Sequence, residues 1–255
     1  MDQHDGSPTF ALVGIDPNSE DVRCPGVWVE EETEDLYMRG KVVTDPLILA
    51  RLEQDAPSSA DEAVVRMPAR MREMIADAAT GNYEPTRVGH GDIELIELLK
   101  RAQHSAIHLE TRDTYDPDNP AFKDWLAGGT GRAPRTAWRT AGTSMTERGV
   151  KIRRARVISS PPTDYIRWEH MVTDVNLEIG EEVRWLTRDS APDLLVPTAD
   201  FWLIDNRLIV FNTCTGAGAH HRDHYSNDPE VIGRCLLAFE RIWERAVPHA
   251  EFKLD

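Results

Sequence analysis

The sequence predicts an α/β protein, with one mixed sheet flanked by helices and a small β-rich module before it. The main observation is a strand–helix–strand pattern: residues 151–159 and 182–187 read as strands, and 164–179 as an amphipathic helix. Strands joined in this way lie parallel, with a right-handed crossover. Residues 201–212 then predict a hairpin, because the Asp-Asn pair at 205–206 tolerates the positive φ of a tight turn. A parallel unit followed by a hairpin gives a mixed sheet.

The N-terminal part is predicted to be a small, acidic, β-rich module over residues 8–78. Residues 79–91 contain glycine and proline without apolar periodicity, and we interpret them as a linker. The predicted elements of the module are strands at 10–13, 26–29, 36–43 and 63–67, a short helix at 47–52 and a helix opened by Pro68.

The larger domain is predicted to cover residues 92–252. Its central helix repeats apolar residues at spacings of three and four, and Gly180 ends it. Its other predicted elements are helices at 92–103 and 135–147, a strand at 105–112, a helix capped by Asp118 or Asn119, and a last helix capped by Asp228 before Pro229.

Composition excludes several classes of protein. No run of about 18 apolar residues exists, so no membrane span and no membrane partner are expected. The polar, acidic N-terminus does not resemble a secretory signal, which favours the cytoplasm. Three cysteines at wide spacings predict neither disulfides nor a zinc site.

The charge is distributed unevenly along the chain. The formal net charge is −15, and residues 1–80 carry seven basic against seventeen acidic residues. Residues 131–156 carry eight basic residues against Glu147 alone. This segment could bind phosphate or nucleic acid. We favour intramolecular neutralisation by the acidic module, because the net charge would otherwise repel a nucleic-acid backbone.

The element order and two motifs resemble an actinomycete family of domains of unknown function. The motifs are the hairpin sequence at 200–212 and Asp-Tyr-Ile-Arg-Trp-Glu-His at 164–170, and the resemblance covers about residues 92–252. Members often lie near helix-turn-helix regulators, which implies a regulatory or signalling role. Residues 8–75 resemble a second small actinomycete module of unknown function.

The same order is similar to one half of the phospholipase D-like fold. This resemblance implies that the chain pairs with a second copy as a homodimer. Phospholipase D enzymes use His-x-Lys, in which the histidine is the nucleophile and the lysine stabilises phosphoryl charge. None of the nine histidines here is followed two residues later by lysine. The resemblance therefore implies that the usual phosphodiesterase chemistry is absent.

Two groups of side chains could form a site in or beside the sheet. His108 and Glu110 share one strand face and are the candidate catalytic residues, although a solvated face is the default interpretation. Arg154, Arg156, Arg167 and His170 are candidates for binding a ligand or phosphate. The first two share a strand face, and one or two of the basic residues could instead pair with carboxylates such as Glu169 or Asp164. His170, Asp174 and Arg167 share a helix face that could carry a surface network or be solvated.

A histidine-rich loop is the candidate metal site. It offers imidazole and carboxylate ligands, but a polar turn with incidental histidines is the favoured interpretation. The candidate ligands are His220, His221, Asp223 and His224.

Together these observations favour a non-catalytic binding or regulatory protein that recognises a small ligand, nucleic acid or a protein partner. No cofactor is expected. The alternative is a metal-assisted hydrolase, or another enzyme acting on a small anionic or phosphodiester substrate, with a divalent metal. A third hypothesis is a toxin–antitoxin or defence component whose acidic module masks the basic strand.

Overall fold

The computed structural model describes residues 9–16, 25–83, 94–215 and 220–254. The chain divides into two compact units, residues 1–88 and 89–255. Of the predicted linker, residues 84–91 lie outside the described residues, and residues 79 and 80 belong to a helix that Gly81 ends in a left-handed conformation. Within the described residues, no helix is long and apolar enough to cross a membrane.

The first unit contains a three-stranded antiparallel sheet and a two-stranded one. Strands β1, β2 and β3 form the first sheet in that order, and β4 pairs with β5. Val27 and Val29 of the sheet pack against Met71 and Met74. The elements are β1 (Phe10–Ile15), β2 (Gly26–Glu30), β3 (Leu36–Arg39), β4 (Lys41–Val42), α1 (Pro46–Glu53), β5 (Val65–Arg66), a 3-10 turn (Ala69–Met71) and α2 (Arg72–Thr80).

The second unit is built on a seven-stranded mixed sheet with helices on both faces. The strand order is β11-β10-β9-β6-β7-β8-β12. Its elements are α3 (Leu95–Lys100), β6 (Ser105–Glu110), α4 (Pro120–Leu126), α5 (Thr136–Glu147), β7 (Lys151–Ile158), α6 (Asp164–Val172), α7 (Asp174–Glu178), β8 (Glu182–Thr187), β9 (Asp200–Ile204), β10 (Leu208–Cys214), β11 (His220–Ser226), α8 (Pro229–Arg245) and β12 (Val247–Pro248).

The predicted parallel unit and hairpin are both confirmed. Strand β7 pairs in parallel with β6 and with β8, and the other pairs in this sheet are antiparallel. Strands β9 and β10 form the hairpin, where Asp205 and Asn206 have φ values of 50° and 54°. This is the conformation for which the two residue types were singled out.

Neighbouring arginines of β7 show which helices cover each face of the sheet. The guanidinium of Arg154 lies 5.8 Å from the ring of Trp138, which belongs to α5. The guanidinium of Arg153 lies 5.1 Å from the ring of Phe239, which belongs to α8. Because successive strand residues point to opposite faces, α5 and α8 cover opposite faces of the sheet. Both faces of β7 are therefore buried.

The central helix differs from the single helix predicted over 164–179, because it is interrupted at Thr173 between α6 and α7. The hydroxyl of Thr173 donates to the carbonyl of Glu169, 2.7 Å away, and accepts from Arg156 Nη1 at 2.6 Å. A threonine that hydrogen-bonds to the carbonyl four residues earlier often bends its helix. The hydrogen bond from Arg156 therefore connects the interruption of the helix to a buried arginine of β7.

Candidate functional site

The candidate site lies on the sheet face that α5 covers, where β6 and β7 run side by side. His108 pairs in register with Arg154, and Glu110 with Arg156. Residues two apart on a strand share a face, so four polar side chains form a compact group there. Glu110, Arg154 and Arg156 are buried, and His108 is largely so. The interpretation of this strand face as solvated was wrong.

Glu110 bridges the two arginines. Its Oε1 accepts from Arg154 Nη1, and its Oε2 accepts from Arg156 Nε. Burial opposes ionisation of this carboxyl, but the attraction of Arg156 and Arg154 is larger and holds its pKa below the usual range. Glu110 is therefore a charged bridge at neutral pH, and its oxygens are already occupied.

Arg154 has further partners besides Glu110. Its Nε donates to Glu181 Oε1 at 2.6 Å, and its Nη1 also lies 2.7 Å from His108 Nδ1. The other oxygen of Glu181 accepts from Asn176 Nδ2 at 2.6 Å. The indole of Trp202 lies 5.3 Å from the guanidinium. Burial opposes its charge, but the carboxylates outweigh burial and raise the pKa of Arg154.

Arg156 makes a second set of contacts on the same face. Its Nη1 donates to Thr173, and its Nη2 lies 3.5 Å from Glu169 Oε1. The indole of Trp185 lies 4.8 Å from its guanidinium. Burial raises the pKa of the Glu169 carboxyl even though Arg156 opposes this change. Glu169 Oε2 is buried and has no hydrogen-bond partner among the described residues.

His108 is neutral in this setting. Its ring stacks on Trp202 with centroids 4.1 Å apart. Because an arginine can only donate, the short contact with Arg154 makes Nδ1 an acceptor and leaves the proton on Nε2. Burial, and then the positive charge of Arg154, lower the pKa of His108 well below its ordinary value. A neutral imidazole closed in by an indole and a guanidinium is poorly placed to transfer protons.

The carboxylates that neutralise the basic segment come from the second unit itself. This corrects the expectation that the acidic N-terminal module supplies them. Glu110, Glu169 and Glu181 pair with the two buried arginines. Farther out, the pairs are Arg132 with Asp174, Arg139 with Glu178 and Arg153 with Glu240, each with its closest contact at 2.7 Å.

His170, another candidate ligand-binding residue, lies beside this network, because its ring is 5.2 Å from the ring of Trp185, which also contacts Arg156. His170 packs beside His249, with ring centroids 4.4 Å apart, and Trp185 Nε1 donates to His249 Nδ1 at 3.1 Å. Burial lowers the pKa of His170. Burial is also the largest of the causes that lower the pKa of His249 to about 4. Asp174 pairs with Arg132, a residue that the predicted Arg167–His170–Asp174 network did not include.

The candidate metal ligands lie on an edge strand, β11, instead of the expected loop. His220 Nε2 lies 2.8 Å from Asp223 Oδ1, which also accepts from Asn212 Nδ2 at 2.9 Å. Across the described part of the chain, no three His, Cys, Asp or Glu side chains are grouped as a metal site requires, so His221 and His224 do not join this pair.

Sequence reasoning missed three participants in the network: Glu181, Thr173 and Asn176. Glu181 follows the glycine that ends the central helix, and the sequence there indicates only a turn. The available signal was indirect, because arginines at alternate positions of a strand covered on both faces must find buried carboxylates. Glu169 and Asp164 were named on this ground, and the pairing of Glu169 with Arg156 is confirmed, whereas Asp164 forms no ion pair among the described residues.

The network lies within a recognised domain family. Residues 94–254 match the family model described as a domain of unknown function (DUF6879), which includes all of the strands and helices around the network. The chain matches no curated protein.

Proposed function

We propose that this chain, which belongs to the DUF6879 family of domains of unknown function, acts as a non-catalytic binding protein. The supporting observation is that His108, Glu110, Arg154 and Arg156 are used within one buried network. Catalytic groups must reach a substrate within hydrogen-bond distance, and catalytic pKa values lie near the working pH. Glu110 is held charged between two guanidiniums and His108 is held neutral, which suits a structural role.

The finer features of the proposal follow the phospholipase D-like resemblance. We propose that the second unit is one half of that topology, that it serves in regulation, and that a second copy or a regulatory protein is its partner. Asp200, at the start of the hairpin strand where the catalytic pair would lie, is buried and accepts from the backbone N–H and hydroxyl of Thr111, both at 2.7 Å. A capping carboxylate in that place supports loss of the phosphodiesterase chemistry.

Nucleic acid is the weaker choice of ligand. Arg132, Arg139 and Arg153 already have carboxylate partners, and Arg148 donates to the carbonyls of Lys100 and Ala102. A nucleic-acid surface gains affinity by releasing counterions from phosphates, which requires unpaired cations. The pairing of these arginines within the domain therefore favours a small ligand over a long polyanion.

A turnover assay tests the proposal. Purified protein incubated with bis(p-nitrophenyl) phosphate or p-nitrophenyl phosphate, with Mg²⁺, Mn²⁺ or Zn²⁺ added in turn, is expected to release no nitrophenolate above buffer. Turnover that the His108→Gln substitution lowers at least about tenfold would establish the hydrolase alternative, since general acid–base groups contribute about 10²–10⁴-fold. Stoichiometric metal in the protein, with a lower Tm after chelation, would establish the metal version.

A further inference from the structure

Arg135 stands apart from the other arginines of the basic segment. It is partly buried, and its guanidinium lies 5.7 Å from the ring of Trp168. Within the described part of the second unit, no carboxylate oxygen lies within 4 Å of that guanidinium, and it makes no hydrogen bond. Burial and the charge of the nearby Arg156 both lower its pKa. Glu169 and Glu110 attract this cation from beyond ion-pair distance, but it lacks the direct partner that a buried arginine normally has.

The chain is held locally so that Arg135 occupies this place. Trp168 Nε1 donates to the carbonyl of Gly131 at 2.8 Å, and Gly131 N–H donates to Asp124 at 2.9 Å. A Cβ at Gly131 would lie 2.6 Å from Trp125 Cβ, so only glycine allows this close approach. Arg135 itself has φ 45°, which is costly for a residue with a side chain. These features fix the loop and place the guanidinium against Trp168.

Four buried side-chain atoms among the described residues lack hydrogen-bond partners, and two of them, Glu169 Oε2 and Trp138 Nε1, bear on this site; the others are His170 Nε2 and Asn176 Oδ1. Glu169 Oε2 is unpartnered, its side chain is about nine-tenths buried, and its carboxyl interacts electrostatically with Arg135. Trp138 Nε1 is also buried without a partner, and its ring lies near the guanidinium of Arg154. Unsatisfied buried groups are rare in native proteins and indicate a bound water, ion or ligand.

The helix that begins after Arg135 adds a third source of donors. Helix α5 has twelve residues, and no side chain caps its first turn. The N-terminal N–H groups of a helix attract anions. Arg135 can add a planar pair of N–H groups, which matches the oxygens of a carboxylate or a phosphate.

We propose that Arg135 anchors an anion-binding site at the start of α5, which receives the phosphate or carboxylate group of a small ligand. This inference rests on the proposed binding function and identifies its ligand class. Trp138 Nε1 is a further donor for the anion, and Glu169 can donate to it when its carboxyl is protonated, the form that burial favours. Arg154 and Arg156 are already paired with Glu110 and Glu181, so Arg135 supplies the positive charge of the site. The buried network therefore holds the neighbouring side chains in place without reacting.

Tryptophan fluorescence provides the test, because Trp138 and Trp168 belong to the site. Full-length protein is titrated with sodium phosphate and, separately, with sodium succinate, each compared with sodium chloride at equal ionic strength. Wild type is expected to give a saturable response to at least one of the two anions and none to chloride. The anion that responds distinguishes a phosphate-bearing ligand from a carboxylate-bearing one.

Two arginines of one loop give matched variants. Arg135→Gln is expected to weaken binding at least about tenfold, because it removes the positive charge and the charge-assisted N–H donors. Arg132→Gln, which removes the exposed pair with Asp174, is expected to retain wild-type affinity. Arg135→Lys, which keeps a charge but loses the planar fork, is expected to fall between them and provides a second variant if Arg135→Gln unfolds.

The outcomes separate this inference from the function it rests on. Equal responses of the Arg135 and Arg132 variants, or a wild-type response to neither anion, would overturn the anion site and leave water as the partner of these groups. Phosphodiester turnover in the same samples would overturn the non-catalytic function, whatever the anion titration shows.

Discussion

The Glu110→Gln substitution is expected to lower the free energy of unfolding by about 3–5 kcal/mol. It keeps the size of the side chain and removes the negative charge that bridges Arg154 and Arg156. Removing one partner of a buried ion pair is costly because the remaining charges stay buried without compensation. Urea denaturation followed by tryptophan fluorescence measures the loss, and six of the seven tryptophans lie in the second unit.

A surface pair supplies the control. Glu178→Gln breaks the ion pair with Arg139, in which both side chains are about half exposed, and is expected to cost at most about 1 kcal/mol. If the two variants lost similar amounts of stability, the buried network would not hold the fold in the way described. A matching m-value in wild type and variants would show that the same surface is exposed on unfolding.

The Asp205→Ala substitution is expected to lower the free energy of unfolding by about 2–4 kcal/mol. The Asp205 carboxylate accepts the backbone N–H groups of Gln103, His104 and Ser105 at 2.8–2.9 Å. It thereby ties the hairpin turn to the start of β6. Alanine would leave these partly buried donors without their partner and would also occupy a left-handed conformation. The same urea titration measures the effect.

Asp205→Asn is the matched variant for this position. Asparagine tolerates the left-handed conformation and keeps one carbonyl oxygen, which can serve His104 and Ser105. It is expected to cost about half as much as alanine. Equal losses for the two variants would show that the hydrogen bonds to the strand contribute little and that the loss of charge dominates.

The elements around the network could be predicted because their signals are local. Helical spacing places Tyr165, Trp168 and Val172 on one face, and all three are buried. Asp228 caps α8 by accepting from the N–H of Glu230 at 2.8 Å, as its position before proline predicts. Periodicity and caps depend on near neighbours in the chain, so a single sequence is enough to reveal them.

The burial of the polar strand face could not be predicted in the same way. Alternation on β6 correctly placed His108 and Glu110 on one face, but it did not show that helices cover both faces. Strand β11 was missed for a related reason, because its sequence is polar and its strand conformation comes from pairing with β10. Both features depend on residues far apart in the chain.

The ionisation of His108 tests most directly whether this network is structural. Because folding lowers its pKa, the unfolded chain binds the proton more tightly. Its contribution to stability is complete above the unfolded pKa of about 6.5 and is lost as the pH falls below it.

The NMR resonances of the imidazole of His108, assigned by their absence in the His108→Gln spectrum, report the charge of the ring at each pH. We predict a neutral ring, protonated on Nε2, that does not titrate at the ordinary imidazole midpoint of about pH 6.5. A midpoint near pH 6.5 would contradict the account, because it would show an imidazole open to solvent and available for catalysis.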